Sequence, residues 1–255
     1  DTGGSTGLMA VWRTVAAGVV AWLVFLVATI PADRALALAP QIPDVAIGPV
    51  QGTLWNGQTG SVIVKGIQLD KLRWHFRLLS LFTGRFEFEL QARLGDKPAH
   101  ALAGKRFSGT PYLADVQLSL PASEVLYRLG IKQVGVSGDL VMDLDDVRFA
   151  VTGIPMFSGV TRWTPAEVEA PLVLSLGTAT LTTQHDGSIT QGDLVATGGA
   201  LQVKADVALE ATGAYRLNAV ITQNGNVPRA VTKFLTTFAE YQNGNYRLEW
   251  SDNLL

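Results

Sequence analysis

From Gln51 onward one pattern governs the chain: apolar and polar residues alternate with a period of two. Leu72, Trp74, Phe76 and Leu78 alternate with Arg73, His75 and Arg77, and Phe86, Phe88, Leu90, Ala92 and Leu94 alternate with Arg85, Glu87, Glu89, Gln91 and Arg93. The same rhythm returns over Val116–Leu120, Leu140–Leu144, Leu201–Leu209, Tyr215–Ile221 and Tyr246–Trp250. A helix would place its apolar residues three and four apart. Alternation instead gives strands with one apolar and one wet face, as in an antiparallel sheet buried on one side. Glycines at Gly135, Gly138, Gly187, Gly192, Gly198, Gly199 and Gly213 are expected to mark turns, and residues 201–221, broken at Ala211-Thr212-Gly213, to form a hairpin. Two short helices are expected at Pro121–Leu129 and Pro228–Tyr241, each opened by proline and followed by glycine.

Such a sheet must cover its apolar face, and two short helices are too small for the task. The expected fold is therefore mainly β: a single N-terminal transmembrane helix, then a large curled antiparallel β-sheet (barrel-like, sandwich or taco-like) with two short helices. A sheet left partly open would present a greasy groove.

The transmembrane element is Thr14–Ile30, which carries no charge. A helix of this length spans about 26 Å, close to the ~30 Å hydrocarbon core of a bilayer. Arg13 precedes it, while Asp33 and Arg34 cancel on the far side, so the positive-inside rule puts the N-terminus in the cytoplasm and the bulk outside. A secretory signal peptide competes, with Ala35-Leu36-Ala37 as cleavage site, but its apolar core is usually shorter, which favours a retained anchor. Residues 1–8 read as a leader foreign to the natural chain before a start at Met9, and 9–34 as cytoplasmic stub and anchor. Pro40, Pro43 and Pro49 make 35–50 a stiff linker, and 51–255 is the β domain. Small residues Ala17 and Ala21 give the span a weak face for helix pairing.

Chemistry-bearing residues are sparse. A net charge of −2 without a concentrated basic face argues against nucleic acid, and zero cysteines remove disulfides, thiolate–zinc sites and thiol nucleophiles. His75, His100 and His185 stand far apart: His75 reads as a solvated strand residue and His185-Asp186-Gly187 as a turn. Asp143, Asp145 and Asp146 lack the spacing of a calcium loop, and Asp145-Asp146 is expected to end a strand. No nucleophile elbow, phosphate loop or dinucleotide fingerprint occurs, so the expectation is a protein that is not an enzyme, with no cofactor or metal. Trp55, Trp74, Trp163 and Trp250 could line a ligand site but are more often sheet anchors.

The order of short motifs carries a resemblance. An apolar N-terminal run and a proline linker lead to Gly52-Thr53-Leu54-Trp55-Asn56-Gly57, Leu72-Arg73-Trp74, the LLSLFTGRF stretch ending at Phe86 and the SGDLVMDL stretch beginning at Ser137. Gly159-x-x-x-Trp163-x-x-Ala166 closes the series, with Val160-Thr161-Arg162 where a Leu-rich strand start would be usual. The chain resembles the protein N family of the bacterial type II secretion system along nearly its whole length. The resemblance implies a bitopic protein of the Gram-negative inner membrane, N-terminus cytoplasmic and β domain periplasmic, without catalytic residues to carry over. The partners it implies are the clamp protein C, the secretin D and the inner-membrane platform, with homo-oligomerisation left open. Trp55, Trp74 and Trp163 are the candidate interaction residues, beside Ala17 and Ala21 on the span. Such sheets also resemble lipid-groove domains of the AsmA type, so a lipid-binding or lipid-transfer groove is the alternative, resting on architecture alone.

Overall fold

In the computed structural model, residues 18–23, 25–38, 44–64, 66–109, 111–128, 130–149, 154–170, 173–225 and 227–253 are described. The chain divides into two compact units, Asp1–Phe76 and Arg77–Leu255. It is mainly β, and every strand pairing described within each unit is antiparallel.

The first unit begins with helical residues 18–23 and 25–28 (α1), then α2 (Ala32–Leu38), β1 (Val45–Ile47), β2 (Val50–Gly52), β3 (Asn56–Val64) and β4 (Ile67–Phe76). Of the expected span Thr14–Ile30, residues 14–17 and 24 lie outside the described residues. Among those described, no helix is long and apolar enough to cross a membrane. Val45–Ile47, expected within the linker, instead pairs with Val62–Val64. β1 and β2 lie along one edge of β3, which pairs with β4 on its other side. The alternation in Leu72–Leu78 holds only as far as Phe76, where β4 ends; Leu78 opens a 3₁₀ turn, Leu78–Thr83.

The second unit is a meander of β5 (Arg85–Leu94), β6 (Lys97–Arg106), β7 (Pro111–Pro121), β8 (Gly135–Phe149), β9 (Pro155–Ala170), β10 (Leu174–His185), β11 (Ile189–Gly198), β12 (Leu201–Glu210) and β13 (Ala214–Gln223). At its end β15 (Asn245–Asn253) lies between β13 and the short β14 (Glu240–Gln242). Within this unit the described strands form a single sheet whose first and last strands do not pair with each other. Of the three shapes open at the start, the closed barrel and the two-sheet sandwich are therefore not what these strands form. The hairpin expected at 201–221 forms, as β12 paired with β13, with Leu201 opposite Gln223 and Leu209 opposite Tyr215.

The helices are shorter than expected. α3 is Ala122–Arg128, with Pro121 still in β7 and Leu129 outside the described residues. α4 is Arg229–Phe238, and Tyr241 belongs to β14. Several glycines expected in turns are inside strands. Gly138 sits at φ 94° in β8, at a register shift against β9, where a Cβ would run into the Pro165 carbonyl. Glycine thus permits a bulge there, not a turn. Asp145-Asp146 likewise does not end a strand: β8 bulges between Leu144 and Asp146 and continues to Phe149.

The best-packed core of this unit lies where α4 covers the apolar face of β12, β13 and β15. Leu201, Ala205, Ala219, Ile221 and Tyr246 from the strands bury with Val231 and Leu235 from the helix. Each large apolar side chain removed from water here contributes about 1.5–3 kcal/mol.

Candidate interaction surfaces

In the first unit the GTLWNG motif is a joint between helix and sheet. The last turn of a helix leaves carbonyls without partners. Here Trp55 Nε1 donates to the Val27 carbonyl at 2.7 Å, and Leu54 N–H to the Ile30 carbonyl at 2.9 Å. Pro31 forms a bridge with Thr53. The loop is tightened by Thr53 N–H donating to the Asn56 carbonyl and by Asn56 N–H donating to Thr53 Oγ1. Trp74 Nε1 donates to the Leu54 carbonyl at 3.1 Å, and its ring occupies the space a Cβ on Gly57 would need. Trp55 also packs on Phe76, ring centroids 5.0 Å apart, while Phe76 N–H donates to the Trp55 carbonyl. Both tryptophans thus hold the sheet against the end of α1.

Trp163 belongs to the second unit. Its Nε1 donates to the Ser137 carbonyl at 2.8 Å, one residue before Gly138, and the Ala166 that completes its motif is wholly buried. The Gly-x-x-x-Trp-x-x-Ala spacing fits a pin across the β8 bulge. Ala21 is an exposed helical residue, whereas Ala17 lies outside the described residues.

Two polar clusters in the second unit escape a reading by motif. Glu87, on the polar face of β5, is only 5% exposed. Its Oε1 accepts from Arg77 Nη1 at 2.9 Å and its Oε2 from the Tyr112 hydroxyl at 2.6 Å. Burial, and then the bond to Glu87, push the Tyr112 phenol up to about 12. Tyr112 in turn stands over Gly104, which leaves room for its ring. The second cluster is His185, expected in a turn but ending β10 with its side chain 3% exposed. His185 Nε2 lies 3.1 Å from Asp146 Oδ2, which also accepts from Arg148 Nε at 2.8 Å. Among the described residues His185 Nδ1 has no hydrogen-bond partner.

The turn that follows is as expected. Asp186 Oδ1 accepts from the Ser188 and Ile189 N–H groups and the Ser188 hydroxyl, which hold its carboxyl down to about 2. His75 is an exposed strand residue, and His100 stands between Glu89 and Asp115 at 3.6 and 3.9 Å. Among the described residues no group of three or more histidines and carboxylates could hold a metal ion, Asp143, Asp145 and Asp146 included.

The surface best built for a macromolecular partner is a strand edge. β14 pairs only with Asn245–Arg247, so beyond Arg247 the outer edge of β15 has no strand against it among the described residues. Trp250 stands 47% exposed on this segment, its Nε1 donating to the Tyr215 hydroxyl. Glu249 and Asp252 are charged breaks of the kind that protect an edge from indiscriminate pairing. The pattern Tyr246-Leu248-Trp250 located this strand, but nothing local marks a strand as an edge.

A family model, that of type II secretion system (T2SS) protein N, matches residues 43–249. The chain belongs to that family. It is 31% identical over 159 residues to the type II secretion system protein N of Vibrio cholerae, a match covering 60% of this chain and 62% of the Vibrio protein. No solved structure matches the chain. The family match takes in the Trp55–Trp74 joint, the Trp163 pin and all of β5 to β13.

Proposed function

We infer that the chain is a non-enzymatic assembly component of the type II secretion system, supporting export of folded proteins across the outer membrane. The family match over residues 43–249 carries this reading. The N-terminal helix is its anchor in the inner membrane. Val19, Val20, Trp22, Leu23, Phe25, Leu26 and Val27 are each at least 43% exposed, which in water would be an apolar liability and in lipid is the required surface. The N-terminus is cytoplasmic and the β units periplasmic, and the small, exposed Ala21 offers a place for pairing with another span. Partners among the clamp protein C, the secretin D and the inner-membrane platform add a strand to β15 beyond Arg247, main-chain bonds giving affinity and the Trp250 face giving selectivity.

A photo-crosslinker at Glu249 or Ser251, in cells assembling the secretion system, tests this. The expected product joins the chain to another secretion component, while the same probe at Lys204, in mid-sheet, gives none. Capture of only unrelated envelope proteins from both edge positions would overturn the reading.

A lipid groove of the AsmA type is the second reading, favoured by the thin cover over β6–β9. There the buried apolar cluster has three members, Val116, Leu144 and Val147, with Ala101, Leu113, Leu118, Met142 and Phe157 half-buried around them. Native mass spectrometry of the detergent-purified protein would show bound lipid if the groove is used; its absence removes this reading.

A further inference from the structure

The stretch LLSLFT breaks the alternation, and its side chains are among the most exposed apolar groups of the second unit. Leu78 is 65%, Leu79 77% and Phe82 87% exposed on the 3₁₀ turn; Phe107, on the β6–β7 turn, is 71% exposed. The two turns are tied together, since Phe107 N–H donates to the Gly84 carbonyl at 3.0 Å. We propose that this double tip is a membrane-inserting finger that enters the interfacial region of an anionic bilayer, a contact separate from any transmembrane anchor and independent of which proteins β15 binds.

Three observations converge on lipid. The polar groups of the turn are consumed internally. Ser80 Oγ donates to the Arg77 carbonyl at 2.6 Å, Thr83 Oγ1 to the Ser80 carbonyl at 2.8 Å, and Gly84, in the left-handed region at φ 71°, sends its N–H to the Leu81 carbonyl. Backbone with its own partners is what entry into an apolar medium demands. The apolar side chains are 65–87% exposed, standing clear of the turn and not walled in by neighbours, so they fit a deformable apolar phase better than a protein knob. Finally, residues 77–87 and 104–112 hold Arg77, Arg85, Lys105 and Arg106 against the single carboxylate Glu87, in a chain whose net charge is −2. Arg77 is engaged by Glu87, and Arg106 lies over the Tyr112 ring at 5.8 Å. Arg85 and Lys105 are exposed and flank the tip. Leucine and phenylalanine below a collar of arginine and lysine is the arrangement of interfacial anchors, with long cationic side chains reaching lipid phosphates.

The chain has no cysteine, so single-site labelling is clean. The full chain is reconstituted in vesicles of phosphatidylcholine with phosphatidylglycerol and carries an environment-sensitive fluorophore at Phe82→Cys, at Phe107→Cys, or at Asp96→Cys. Asp96 lies in the turn at the other end of β5, about 33 Å along the strand from Arg85. A nitroxide on the upper acyl chain is the quencher. The expected result is several-fold stronger quenching at 82 and 107 than at 96. A double change Arg85→Glu and Lys105→Glu, or pure phosphatidylcholine vesicles, should lower the signal at 82 at least twofold. Leu79→Asp with Phe82→Asp should abolish it at 107, with the circular dichroism spectrum unchanged. Equal quenching at all three positions, or none, overturns insertion; quenching at 82 indifferent to the cations and to phosphatidylglycerol overturns the anionic surface. Failure of the β15 crosslinks would leave this result untouched.

Discussion

Within the second unit, one end of the sheet is covered by a helix and the other is nearly bare. At β12–β15, α4 lays Val231 and Leu235 on the apolar face, and seven buried residues form one cluster. Over β6–β9 the strands alternate just as regularly, yet the buried cluster there has three members, with α3 reaching β7 and β8 near one end. The strand pattern is therefore not what decides where a core forms. A single sheet supplies one half of a hydrophobic layer, and burial appears where something else supplies the other half. Between the two regions Ala166, Ala179 and Ala196 fill the seam, where small side chains suffice beside Trp163.

The largest expected effect tests this contrast with one kind of substitution at two places. Leu235→Ala removes a leucine held between helix and sheet and should lower stability by about 4 kcal/mol, within the ~2–5 kcal/mol range for buried leucine. Leu144→Ala, at 9% exposure in the bare region, should lower it by about 2 kcal/mol, because its surroundings are open on one side and can settle into the space. Urea midpoints at constant m-value measure both. Equal losses would mean the bare region is packed as tightly as the covered one, and the distinction would fail.

The strands and the existence of two helices were legible because alternation and proline–glycine punctuation are local signals. What could not be read is where each strand stops being regular. Gly138 looked like a turn because glycine is the usual turn residue, but here it accommodates the carbonyl of Pro165 across the ladder. Asp145-Asp146 looked like an end because paired carboxylates favour loops, yet a bulge absorbs the irregularity and β8 runs on. The tryptophan motifs could be located by order alone, but only the fold shows that Trp55 reaches back to the Val27 carbonyl whereas Trp163 donates to that of Ser137. The Glu87 cluster was illegible for a different reason. Glutamate at a polar-face position predicts exposure, and its burial comes from Tyr112 two strands away.

That cluster gives the next effect in size. Tyr112→Phe keeps the ring but removes the donor to Glu87 Oε2, leaving a buried carboxylate oxygen without this partner, so stability should fall by about 1–3 kcal/mol. The wild-type phenol also predicts an alkaline limb. Its folded pKa, about 12, lies above the ordinary 10.0, so folding favours the neutral form. That contribution is complete below pH 10 and is lost as the pH rises through 12. Ultraviolet titration should show one of the five tyrosines ionising last, and Tyr112→Phe should remove that step. A titration with all tyrosines complete by pH 11 would show Glu87 and Tyr112 to be open to water.

Smaller still is the difference between the two tryptophan contacts. Trp163→Phe retains most of the apolar ring and loses one hydrogen bond, so about 1 kcal/mol should disappear from the second unit. Trp55→Phe loses the same kind of bond but acts on the last turn of α1. Its expected signature is faster amide exchange at the C-terminal end of that helix, with little change in the β5–β15 strands. Uniform acceleration along the whole chain after Trp55→Phe would mean that the joint supports more than the helix end.

The smallest effect belongs to the turn after β10, where the side chain is fully in water. Asp186 accepts hydrogen bonds from Ser188 and Ile189, and its carboxyl falls from 3.8 to about 2. A depressed folded value means that the stabilising charge is present above pH 3.8 and is lost as the pH drops through 2. Asp186→Asn keeps an acceptor oxygen but not the charge, so it should weaken the chain slightly at neutral pH and converge with wild type below pH 2. Stability measured against pH for both chains shows where the curves meet. A gap that persists at pH 1.5 would put the effect in the geometry of the turn and not in its charge; a gap that closes only near pH 2 would confirm that main-chain N–H groups, more than neighbouring cations, hold this carboxylate in its ionised form.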